Sequence, residues 1–181
     1  MTIPPQQNPE PTHSPQELDE AIRHVGYEVQ MMAAASKRLA AATSDGDGIA
    51  ANAFLESMLL HARALIAFFL HDGRKDDIRR TDFAPDWTPL PVPAVANAYE
   101  AYPLLNKYLA HLTWQRVSPA APEWNYPTIA ADVASIADYW CRHVADTNHS
   151  LAMKFRPYVA VAVMAAWRLP FDTTAATSDL V

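Results

Sequence analysis

The side chains able to move protons or hold phosphate fall in three short stretches. Glu56, His61 and Arg63 interrupt an otherwise apolar run; Asn106, His111 and Arg116 lie along a second segment; Arg142, His143 and His149 lie along a third. A histidine titrates near neutrality and can give or take a proton. An arginine presents paired N–H donors that match a phosphate or carboxylate. At 100° per residue, Asn52, Glu56 and Arg63 share a stripe of about 40°, with His61 at the flank of the apolar face formed by Phe54, Met58, Ala62, Leu65 and Phe69. Two readings follow. Glu56 and Arg63 pair as buried charges must, or they line a polar pocket. His111, beside Lys107 and off the stripe of Leu105, Tyr108, Leu109 and Leu112, is a part-buried structural histidine or an acid–base group. Arg116 closes its helix, where a cation suits the helix dipole.

Other chemistries find less support. Glu56, His61 and His111 would be the ligands of a metal held between helices. However, His61 follows Glu56 by five positions where carboxylate–histidine bundles use Glu-x-x-His, and His143 and His149 are six apart. There is no HExxH or GxSxG motif, and four glycines in the whole chain provide no phosphate-cradling loop. Cys141 is the sole cysteine, which excludes an intramolecular disulfide and a multi-cysteine metal site. Its neighbours Tyr139 and Trp140 suggest packing rather than nucleophilic attack. No cofactor is expected.

Prolines mark out the elements that must position these groups, because each removes a helix donor and clashes with the preceding turn. Five prolines precede residue 16, four lie between Pro85 and Pro93, three lie between Pro119 and Pro127, and none falls between Gln16 and Ala84. Residues 1–13 read as a tail. Ser14-Pro15-Gln16-Glu17 is a helix start with the residues of a capping box. A first helix from Pro15 to about Ala42 carries the seam Leu18, Ile22, Val25, Val29, Met32 and Leu39, with Ser36 in the one polar slot. A turn at 43–48 leads to a second helix from Ile49 to His71, ended by a left-handed cap at Gly73 and antiparallel to the first.

An irregular crossover, 74–93, precedes a third helix from Ala94 to Arg116, kinked or divided at Pro103. After a loop ending at Pro127, Thr128 caps a fourth helix with Ile129, Val133, Ile136 and Trp140 on one face. Asp146-Thr147-Asn148 is a break, a fifth helical segment follows Pro157, and residues 172–181 form a second tail. The expectation is an all-α, up-down bundle of four to five helices in one domain, 14–171.

The 181-residue chain carries a formal charge of −6 and is 50% hydrophobic, which suits a packed core and argues against a broad basic face for nucleic acid. A small basic cleft remains compatible. The N-terminus lacks the basic and apolar regions of a secretory signal. The apolar runs 54–70 and 158–167 are interrupted or short, so they read as core helices. A cytoplasmic protein without a membrane partner is expected.

Ala53-Phe54-Leu55-Glu56-Ser57-Met58-Leu59-Leu60-His61-Ala62-Arg63, together with Asn106-Lys107-Tyr108-Leu109-Ala110-His111 up to Arg116, resembles a set of small bacterial helical proteins similar to the HEPN superfamily, over about residues 15–150. The resemblance implies a four-to-five-helix bundle, a homodimer, and a metal-independent RNase of a toxin or phage-defence type. The family pattern is an arginine, commonly followed by a polar residue, then a histidine after four to six intervening positions. Asn106 matches the polar position and His111 the histidine, while Leu105 stands at the arginine position, so Arg63 or Arg116 would have to supply the guanidinium. The literal pattern occurs at Arg142, His143 and His149, but ten arginines and seven histidines make about one such match by chance. The alternatives are a non-catalytic bundle that binds a nucleotide or a partner protein, and a bundle metalloprotein.

Overall fold

The computed structural model describes residues 13–110 and 123–166, in which five α-helices and no strand are found. They are α1 (Pro15–Ser44), α2 (Gly48–Leu70), α3 (Pro93–Ala110), α4 (Tyr126–Thr147) and α5 (His149–Ala166). The chain is an all-α helical bundle.

The capping box forms as the sequence predicts: the Glu17 amide donates to Ser14 Oγ, and the Ser14 amide donates to the Glu17 carboxylate. The α1 seam is buried from Ile22 to Leu39, and Ser36 satisfies its hydroxyl by donating to the Met32 carbonyl. A turn of Asp45, Gly46 and Asp47 reverses the chain, with Gly46 in the left-handed region. α2 starts at Gly48, one residue earlier than expected, because Asp47 accepts from the Ala50 amide as the N-cap.

Several boundaries differ from the sequence reading. α2 ends at Leu70, with His71 already extended; Gly73 takes a positive φ but lies beyond the cap. α4 begins at Tyr126 because Asn125, rather than Thr128, is its cap and accepts from the Thr128 amide. α5 begins at His149 rather than after Pro157, since Asn148 both ends α4 and accepts from the Leu151 amide. Pro157 and Pro103 lie inside α5 and α3 without dividing them. The carbonyls deprived of a donor belong to Met153 and Tyr99, whose side chains stand on exposed faces where water can replace the lost bond. Residues 1–12, 111–122 and 167–181 lie outside the described residues, so the two tails and the expected end of the third helix at Arg116 do too.

α1 packs on α2 and α5, α4 packs on α5, and α3 bridges α2 and α4. Trp140 lies at the centre, its ring edge-to-face with Phe68 and Phe69 of α2, Phe83 of the crossover and Phe155 of α5, at centroid distances of 5.3–6.0 Å. Buried Phe83, Ala84 and Trp87 pin the otherwise irregular crossover to the bundle. By length and composition alone α2 is apolar enough to cross a membrane, but it places nine side chains in this core.

Candidate functional site

α2 holds two of the sequence candidates, and the neighbouring helices sort them. His61 points toward α1 and Arg63 toward α3, as expected for side chains two positions apart on a helix. Arg63 Nε donates to Asn106 Oδ1, joining α2 to α3. Both residues are half-buried, and Leu105 beside Asn106 is fully buried. The position at which the HEPN pattern places its arginine therefore faces the core, and the guanidinium next to Asn106 comes from a different helix.

Arg63 differs electrostatically from the other half-buried arginines. Arg79 meets Asp82 at 3.1 Å and Arg80 meets Asp72 at 3.5 Å, so each has a carboxylate partner. Among the described residues Arg63 has only a neutral amide, which orients the guanidinium without cancelling its charge. The expected Glu56–Arg63 pair does not form. Glu56 is exposed and has no ion-pair partner among the described residues, because Arg63 turns to α3 while Glu56, two turns earlier, faces solvent. His111 and Arg116 lie outside the described residues.

The alternative arginine–histidine match is spread over two helices. Arg142 is exposed on α4 and pairs with Asp138 at 2.5 Å. His143 turns to Asp86 of the crossover, with Nε2 3.2 Å from the carboxylate, and that bond holds the Asp86 carboxyl below its ordinary range. His149 is exposed at the start of α5, beyond the Asn148 cap. The groove beside Arg142 has a volume of about 320 Å³ and includes Arg156 and the flank of buried Cys141. Burial pushes the Cys141 thiol up, away from the reactive thiolate.

Two histidine arrangements had no signal in the sequence. His61 Nδ1 lies 2.7 Å from Glu28 Oε2 of α1, with the Tyr27 ring edge-on to the imidazole at 6.0 Å. A carboxylate only accepts, so Nδ1 must carry the proton and Nε2 is the free acceptor of the neutral ring. His71, at the end of α2, stacks on Tyr102 at 4.1 Å and meets Tyr99 edge-on. Its Nε2 is buried without a hydrogen-bond partner among the described residues, and burial followed by the charge of Arg80 lowers its pKa. Hydrophobic patterning could place neither partner, since both contacts depend on how α1, α2 and α3 pack.

No group of three metal-ligating side chains occurs among the described residues; Glu56 faces solvent while His61 turns to Glu28. No family model matches the sequence, and comparisons with curated proteins and with solved structures give no match either.

Proposed function

We propose that this chain is a HEPN-like RNA-binding protein and metal-independent RNase, with Arg63 taking the scissile phosphate and His111 moving the proton. The observation that supports this reading is the Arg63–Asn106 hydrogen bond. It brings a guanidinium without a carboxylate partner among the described residues to the turn that leads, five positions later, to His111. Arg63 would thus supply from α2 the charge that Leu105 cannot. The guanidinium binds the phosphate and stabilises the charge that grows on its oxygens. His111 accepts the proton of the ribose 2′-hydroxyl, whose oxygen attacks phosphorus to form a 2′,3′-cyclic phosphate; the bond to the 5′-oxygen breaks and the proton passes from His111 to that leaving oxygen. The net charge of −6 restricts such contact to a small cleft.

RNA cleavage by the purified chain in EDTA, measured beside Arg63→Ala and His111→Ala, tests the proposal. Cleavage that persists in EDTA and is lost in both variants is expected. RNA binding without cleavage, weakened by Arg63→Ala, would support the non-catalytic reading, which the burial of Leu105 favours. No binding, or cleavage indifferent to both substitutions, would overturn the proposal.

A further inference from the structure

The groove between α4 and α5 is lined by two unlike halves. One half is charged, with Arg142 on the α4 wall and Arg156 on the α5 wall. Asp138 pairs with Arg142 and cancels one of the two cations. Arg156 has no carboxylate partner among the described residues, so the groove keeps one net positive charge in a chain of net charge −6. The other half is apolar. Val159, Ala160, Val163 and Met164 follow Arg156 at the spacing of a single helical face. With a rise of about 1.5 Å per residue, the strip from Arg156 to Met164 is about 12 Å long. Ala160 is exposed and lies one turn from each end of that strip, so its small side chain leaves the recess open. Met164 is 55% exposed at the far end, and buried Cys141 forms part of the floor.

Charge and shape together select the occupant. The volume of about 320 Å³ suits one small molecule rather than a protein surface. A cation beside an apolar strip matches a singly charged anionic head on a short alkyl chain. Inorganic phosphate would leave the strip bare and bring a second negative charge toward Asp138. An extended peptide would lay amide groups on a strip that cannot hydrogen-bond them. A neutral apolar molecule would leave Arg156 without a counter-charge.

We infer that the α4–α5 groove binds a medium-chain alkyl carboxylate, its head on Arg156 and Arg142 and its chain along Val159, Ala160, Val163 and Met164. The planar fork of Arg156 offers paired donors to the two carboxylate oxygens. Arg142 meets Asp138 through one Nη and retains other donors for the same head. The groove shares no helix with Arg63 or Asn106, so the inference holds whether or not the chain contacts RNA, and its test contains none.

Isothermal titration of the full chain with butanoate, hexanoate, octanoate and decanoate, all below their micelle concentrations, provides the test. Affinity should rise about fourfold for each methylene laid on the strip, the gain from burying one such group, and level off once the chain passes Met164. In methionine-methyl NMR spectra the Met164 signal should shift with octanoate, while that of Met153, exposed outside the groove, should not. Arg156→Gln should weaken octanoate binding about tenfold yet leave the weaker binding of octanol unchanged, which separates the charge from the strip. Ala160→Leu should weaken both ligands about tenfold by filling the recess, with an unchanged helical circular dichroism spectrum because the position is exposed. No binding at any chain length, affinity that ignores length, an unmoved Met164 signal, or indifference to Arg156→Gln or Ala160→Leu would overturn the inference. Wild-type protein that floats with phosphatidylglycerol vesicles and ignores free octanoate would overturn it too, and would assign the groove to a membrane surface.

Discussion

Arg63 of α2 and Asn106 of α3 hold each other across two packed helices, through a hydrogen bond from Nε to the amide oxygen. The bond fixes a half-buried cation beside a neutral acceptor, and stability and charge can therefore be separated there. Asn106→Leu should cost about 1.5–3 kcal/mol, the usual loss when a hydrogen bond to a charged group is removed. Asn106→Asp should keep the helices joined and leave thermal stability equal or slightly raised, while neutralising Arg63. On the phosphate-binding reading, RNA affinity measured by fluorescence anisotropy should then fall about tenfold or more despite the intact fold. Retained affinity in Asn106→Asp would remove Arg63 from the phosphate site.

Glu28 and His61 form the other bridge from α2, at 2.7 Å. Because Glu28 fixes the proton on Nδ1, the neutral imidazole should exist as one tautomer, detectable in long-range nitrogen–proton NMR spectra. Glu28→Ala should abolish that preference and cost about 0.5–1 kcal/mol, a modest figure because the carboxylate is a third exposed and partly screened. An unchanged tautomer ratio would show that the carboxylate does not orient the ring.

These bridges show how much of the molecule could be read in advance. The helices and the buried seam from Ile22 to Leu39 follow from local rules: 3.6-residue periodicity, the Ser14 cap, and prolines where chain direction changes. Prolines misled where solvent was available. Pro157 was expected to start a helix, yet it sits within α5 because the carbonyl it leaves open belongs to exposed Met153. Thr128 looked like a cap, but Asn125 reaches its amide first. At the site, periodicity put Glu56 and Arg63 on one stripe but could not reveal that α3 offers Arg63 an amide. Similarly, Glu28 is 33 residues from His61, and only the α1–α2 packing brings them together.

Close packing between α1 and α5 gives a third prediction. A Cβ at Gly26 would lie 2.5 Å from two carbons of the Tyr158 ring, well inside contact distance. Alanine ordinarily favours a helix by up to about 1 kcal/mol over glycine. Here overpacking should outweigh that gain, leaving Gly26→Ala destabilised by about 1–2 kcal/mol in chemical denaturation. Removing the obstruction should reverse the sign: Gly26→Ala should stabilise a Tyr158→Ala background. If alanine stabilises both backgrounds equally, the ring is not the constraint.

Acid sensitivity should arise in part from His71. Its pKa is lowered, first by burial and then by the nearby Arg80, against a weaker opposing effect of Asp72. The other ring neighbours, Tyr99 and Tyr102, are uncharged near neutrality. The folded state therefore binds the His71 proton less readily than the unfolded chain, whose imidazole titrates near 6.5. Its contribution to stability is fully present above that value and declines as pH falls through the lowered folded value, because unfolding then takes up a proton. Between pH 7.5 and 5.5 the unfolding midpoint should fall. His71→Phe, which preserves the stack on Tyr102 and removes the buried unpaired Nε2, should flatten that slope without lowering the midpoint at pH 7.5. If the variant retains the full slope, other groups control the acid response. A midpoint lower at pH 7.5 would mean that the imidazole holds the end of α2 through a bond to its other nitrogen.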